Sequence, residues 1–219
     1  MQSQIQGASI VLMGAFNPAI FHPSWFAANN LLRNEEAKAA TVNLVHPDAA
    51  SFKTEWLDVN VVKQRFQATT VQESYYESLR DMVVGILGLL SHTPLRFMGI
   101  NRDFHFDLTS EESWHGLGHR LVPKHDWNPL LKNPGMVDLT VRGERPDDLK
   151  GHIHVIVQPS ARIRYGIFVE VNDHYELKAS DQEIGGADAA RIILSGRWDS
   201  SMKRSLDIAQ TIAGLGEQR

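Results

Sequence analysis

The chain contains no cysteine. That absence removes disulfides, thiolate nucleophiles, iron–sulfur clusters and cysteine-ligated zinc together, so any metal would rest on histidine and carboxylate. Long hydrophobic runs are missing too. The longest apolar stretch, residues 82–90, is far short of the roughly 18 residues that suggest a membrane span. No lysine or arginine precedes Arg33, whereas a secretory signal places positive charge ahead of its apolar segment; the expected location is cytoplasmic. A basic excess is also absent, since 22 Lys plus Arg against 26 Asp plus Glu leave a net charge of −4. Proteins that mainly neutralise phosphates show the opposite balance, which argues against a nucleic-acid partner.

Several catalytic signatures do not occur. There is no G-x-x-x-x-G-K-[ST] phosphate loop, no G-x-G-x-x-G and no G-x-S-x-G nucleophile elbow. Gly14-Ala15-Phe16-Asn17-Pro18 resembles the start of a nucleotidyltransferase motif. Asn17 stands where that motif has an acidic residue, however, and Ile20-Phe21-His22-Pro23 occupies the place of its H-x-G-H turn. The segment therefore reads as a strand-to-helix turn.

What is present is ordinary for a folded domain: 219 residues, 42% hydrophobic, with 16 glycines, inside the globular range. No composition break or internal repeat stands out, and one domain is expected. Apolar spacing predicts strands over 8–16, 42–45, 52–57 and 59–66, a helix from Pro23 to about residue 33, and a long helix over 71–90. Gly85 and Gly88 in that helix imply close backbone packing. A strand over 95–108 precedes a T-x-x-E capping box at Thr109 and a helix through Trp114, Leu117 and Leu121. Residues 127–131 read as a short helical turn, and strands are expected over 136–144, 152–158 and 163–171. The Gly185-Gly186 pair then leads into helices over 187–194 and 199–213, with Asp199 as N-cap of the second. Strands and helices come in runs, so the expected fold class is α+β, with a mostly antiparallel sheet and helices packed on one face.

Alternation within the strands points to one polar sheet face. Asn101, Asp103, His105 and Asp107 share one side of their strand, His152 and His154 one side of theirs, and Arg162, Arg164 and Glu170 one side of a third. Such a face is normally solvated or a polar subunit contact; the alternative is a ligand or metal site. The candidate ligand-binding residues are Asn101, Arg102, His105, Arg164 and His174. Glu111, His115 and His119 fall at i, i+4 and i+8, and with His152 and His154 they are the candidate ligands for a divalent metal such as zinc. A third ligand for the pair His152 and His154 would come from His105 or Asp103, and a partner for the helical row from His125 or Asp126.

Four segments together look like an uncharacterised bacterial family of about this length: the stretch from Gly14 to Trp25, Gly99-Ile100-Asn101-Arg102, Trp114-His115 with Gly118-His119, and Asn172-Asp173-His174-Tyr175. The resemblance implies a bacterial intracellular protein and one continuous domain, and brings no reaction with it. The leading expectation is a binding or assembly protein that forms a homo-oligomer and needs no cofactor. Its partner would be itself or another protein, with no membrane involved. Trp25, Phe26, Tyr75 and Tyr76 are the aromatics that motivate an interface. The alternative is a metal-dependent hydrolase using the histidines to activate water.

Overall fold

The computed structural model describes residues 1–177 and 186–216. Nine strands form one antiparallel sheet: β1 (Ile5–Gly14), β2 (Thr41–His46), β3 (Ala49–Lys53), β4 (Asp58–Val62), β5 (Arg65–Thr70), β6 (Leu95–Asp107), β7 (Leu139–Glu144), β8 (Gly151–Pro159) and β9 (Gly166–Glu176). Five α-helices accompany them: α1 (Pro23–Ala28), α2 (Asn34–Ala39), α3 (Tyr76–Leu89), α4 (Glu111–Leu121) and α5 (Gly186–Gly214). The architecture is α+β, with the helices packed against the sheet.

Strand order is β2-β3-β4-β5-β1-β6-β9-β8-β7, and it divides at the centre into two matching halves. In the first, a central strand, a helical excursion, a meander and a helix follow one another as β1, α1 and α2, β2 to β5, then α3. The second repeats this as β6, α4, β7 to β9, then α5, with one strand fewer. The halves meet where β1 pairs antiparallel with β6. Equivalent strands running antiparallel in one sheet are related by a two-fold perpendicular to it, which leaves both long helices on the same side. Indeed α3 lies on β1 and β5, α5 on β6 and β9, and the two helices touch each other. The repeat expected to be absent is thus present in topology.

Alternation fixes which side is covered. Ala8, Ile10 and Leu12 on β1, Phe66 and Ala68 on β5, and Ile100, Phe104 and Phe106 on β6 are all fully buried against the helices. Burying a Phe- or Leu-sized side chain contributes about 1.5–3 kcal/mol, so this face fixes the register. Phe26 and Tyr76 belong to the same core, while Trp25 and Tyr75, half-buried, pack on it and keep part of their rings at the surface.

Several boundaries differ from expectation for local reasons. The helix begun at Pro23 stops at Ala28, because Asn29 Nδ2 donates to the Trp25 carbonyl at 2.8 Å and Asn30 takes a left-handed φ of 57°. Residues 59–66 form a hairpin, β4 and β5, instead of one strand. The cap of α4 is Ser110, whose Oγ accepts from Ser113 N at 3.1 Å, while Thr109 adopts a φ of 65°. The turn expected over 127–131 is present, with Leu131 N donating to the Trp127 carbonyl at 2.8 Å, and a 3-10 turn at Lys124–Asp126 precedes it. Gly85 meets Leu31 closely, and Gly88 has only Arg191 at 4.0 Å. Finally, α5 is one helix of 29 residues and Asp199 lies inside it. Ala187, Ala190, Leu194, Trp198, Ser201, Ser205, Ala209 and Ala213 form one unbroken buried row at three- and four-residue spacing, and that packing overrides the local breakers. Gly185 lies outside the described residues.

Candidate functional site

The side of the sheet away from the helices carries the polar half of each central strand. Register places four rows across it: Ser9, Asn101, Asn172 and His154; Gly7, Asp103, Glu170 and Ile156; Val11, Gly99, His174 and His152; Ile5, His105, Phe168 and Gln158. The strands expected to share a polar face therefore do share it. Over β5, β1, β6 and β9 this face sinks into a groove of about 510 Å³.

Glycine makes the floor of the groove. A side chain at Gly7 would press on the Asp103 carboxylate, 2.6 Å from its Oδ1, and one at Gly99 would sit 3.4 Å from Asn172 Oδ1 and 3.5 Å from Asn101 Oδ1. Asn101 Nδ2 donates to Ser9 Oγ at 3.1 Å across the seam between the halves. Its Oδ1, like that of Asn172, is shut from solvent and has no hydrogen-bond partner. Beside them Asp103 stands opposite Glu170. Burial pushes the Asp103 carboxyl up, against the pull of His105, Arg102 and Arg162. Burial also raises Glu170, and the negative charge of Asp103 raises it further. Neither carboxylate forms an ion pair among the described residues.

One wall of the groove continues as a column of rings. Phe97 and His174 lie 5.3 Å apart, His174 stacks on His152 at 4.3 Å, and His154 follows at 4.3 Å. Arg142 Nη2 lies 3.1 Å from His152 Nδ1. A guanidinium only donates, so that nitrogen is an acceptor and the ring is neutral. Burial, then the charges of His174, Arg142 and His154, bring the His152 pKa down to about 4. His174 is lowered for the same kind of reason, burial first. His105 has a structural partner: its Nδ1 is 2.8 Å from Ser160 Oγ, which also accepts from the backbone of Arg162 and Ile163.

Of the five candidate ligand-binding residues, Asn101, His105 and His174 reach this face and two do not. Arg102 is only 4% exposed and points to the helix side. Its guanidinium stacks between Tyr76 and Phe104 at 4.7 and 4.6 Å and donates to Gln6 Oε1 at 2.8 Å. Neighbouring residues on a strand point opposite ways, which excludes it from the set containing Asn101. Arg164 precedes β9, in the turn closed by Ser160, and donates to its neighbour Tyr165 Oη at 2.9 Å. Asp103, Glu170 and Asn172, with Arg65, Gln67 and Thr69 from β5, are groove residues that the candidate set lacked; the alternation of β6 and β9 carried the signal for the first three, but their pairing partners did not show.

The candidate metal ligands fall into two separated groups. Glu111, His115 and His119 do form a row on α4, with His115 Nε2 3.7 Å from Glu111 Oε1 and the two imidazoles 6.4 Å apart. His152 and His154 sit on the open sheet face instead, and His125 pairs with Asp126 at 3.0 Å. Among the described residues, no group of three or more His, Asp or Glu side chains is arranged to hold a metal ion. Among them, too, no helix is long and apolar enough to cross a membrane. The chain matches no family model and no curated protein.

Proposed function

We propose that this is a binding or assembly protein that holds a protein partner, a second copy or another chain, against the open face of its sheet. The observation behind this reading is the pair of amide oxygens on Asn101 and Asn172, buried without a donor beside the unpaired carboxylates of Asp103 and Glu170. A buried acceptor left unmade costs about 1–3 kcal/mol, a cost that an incoming donor removes. All four groups accept hydrogen bonds when the carboxyls are ionised. The complementary group is cationic and rich in donors, and an arginine side chain, with its five N–H bonds in a planar fork, fits that chemistry best.

The test uses isotope-labelled protein and two short probe peptides, one containing arginine and its counterpart with glutamate. The arginine peptide is expected to shift amide resonances around Ser9, Asn101, Glu170 and Asn172, with a weaker effect in Glu170→Gln. Equal response to the glutamate peptide, or shifts confined to other surfaces, overturns the reading. Light scattering at about 10–50 µM, a range in which transient self-association shows by mass action, reports whether the partner is a second copy.

A further inference from the structure

A second cavity, open to solvent on one side, lies on the helix side of the sheet, where α4, the connection over residues 124–136 and the ends of β8 and β9 line about 490 Å³. Its inner part is apolar. Leu117 and Ile167 are buried there, with Trp114, Met136 and Pro159 around them. The Trp114 indole N–H donates to the Gly166 carbonyl at 3.1 Å, which pins the ring as a wall and leaves it no free donor.

The polar groups that line the cavity are two imidazoles, one ammonium and two amides, all able to donate an N–H bond. His115, His119, Lys124, Asn128 and Asn133 contribute to it, and no carboxylate does; Glu111 reaches His115 from outside the lining. Burial first, and then the charges of Lys124 and His115, lower the pKa of His119. Pockets that bind small molecules combine an apolar body with a few convergent polar groups that set orientation.

We infer that this cavity binds a small apolar molecule bearing one carboxylate, its body against Trp114, Met136 and Pro159, which the buried Leu117 and Ile167 back, and its head at Lys124 and His119. The inference is independent of the groove on the other side of the sheet. It also gives the histidine row of α4 a task that needs no metal: His119 and Lys124 present N–H donors to an anion, and charge-assisted bonds of this kind are the stronger ones.

The experiment compares octanoate, octan-1-ol and octylammonium as probes by saturation-transfer NMR on the full chain. Octanoate is expected to bind more tightly than either analogue. Gly118→Leu is the blocking variant, since Gly118 lines the cavity and a side chain there meets nothing within 4 Å. It also removes a helix-weakening glycine, so the fold is retained while octanoate binding is lost. Lys124→Glu is expected to weaken octanoate about fivefold, the scale of an exposed charge pair. The inference is overturned if octylammonium binds as well as octanoate. It fails equally if Gly118→Leu binds octanoate unchanged, or if no probe binds at about 5 mM, the weakest affinity worth calling a site.

Discussion

Asp103 and Glu170 stand directly opposite each other on β6 and β9 with no cation paired to either among the described residues. Like charges facing across an antiparallel pair destabilise a sheet by about 0.2–1 kcal/mol. Burial adds to that by raising both carboxyls. A carboxyl whose folded pKa is raised withdraws stability as pH climbs through that range, so at neutral pH the pair weakens the fold. Glu170→Gln is expected to stabilise the protein by about 0.5–1 kcal/mol, or roughly 1–4 °C in Tm for a chain of this size. Calorimetry at pH 7 checks this; a lower Tm would show that the carboxylate has a stabilising partner.

The alternation that places Asn101, Asp103 and His105 together, or His152 beside His154, was legible in the sequence because a strand's period is two. That same rule excludes Arg102. What alternation leaves open is which strand lies next to which. Glu170 opposes Asp103 only because β9 pairs with β6, across the whole excursion through α4, β7 and β8. The two-fold repeat escaped notice because the halves share element order and burial pattern while differing in residues and in strand number. In α5, Ser195-Gly196 and Asp199-Ser200 read locally as a break, and only the buried row from Ala187 to Ala213 shows why the helix continues.

Acid is expected to weaken the fold through the histidine column. His152 is held at about 4 in the folded state against an ordinary 6.5, so the unfolded chain binds its proton first. Stability is complete above pH 6.5 and is lost as pH falls toward 4. His174 and His105, also lowered, act in the same direction, while Asp103 and Glu170 act in the opposite one. Thermal unfolding at pH 5 should come roughly 2–4 °C below that at pH 7. The difference should shrink in His152→Gln. An unchanged difference in that variant would place the titration elsewhere.

On the helix side, Asp173 of β9 ties the β7–β8 connection to α5. Its carboxylate accepts from Arg145, from Arg204 Nη2 at 2.5 Å, from Ser201 Oγ at 2.7 Å and from Tyr175 Oη at 3.2 Å. Arg145, its side chain 1% exposed, stacks 3.8 Å from the Tyr175 ring and keeps Asp147 as a second partner. Removing one member of such a buried pair leaves a charge uncompensated, which costs about 3–5 kcal/mol. Asp173→Asn should lose that much in urea unfolding. Arg204→Gln should lose less, because Arg145 still covers the carboxylate. A loss below about 1 kcal/mol for Asp173→Asn, the scale of a surface pair, would contradict this account.

Gly99→Ala separates the groove's binding role from its place in the fold. A methyl there sits in ordinary contact with the Asn172 and Asn101 oxygens, at 3.4 and 3.5 Å, so the strand has room for it. Glycine in a strand interior weakens the fold by about 0.5–1 kcal/mol relative to alanine, and the variant should be at least as stable as the parent. The same methyl stands between the groove and both unpartnered oxygens, in the path of an incoming donor, and fills the floor between β6 and β9. If those oxygens await a donor from a partner, the arginine peptide should lose at least about tenfold in affinity, the 1.4 kcal/mol scale of one hydrogen bond to a charged group. Stability and binding then move in opposite directions, as expected of a residue kept small for a ligand. A variant that gains stability and binds the peptide unchanged would mean that the oxygens are packing slack, and the open face would have to act through its ring column or its rim.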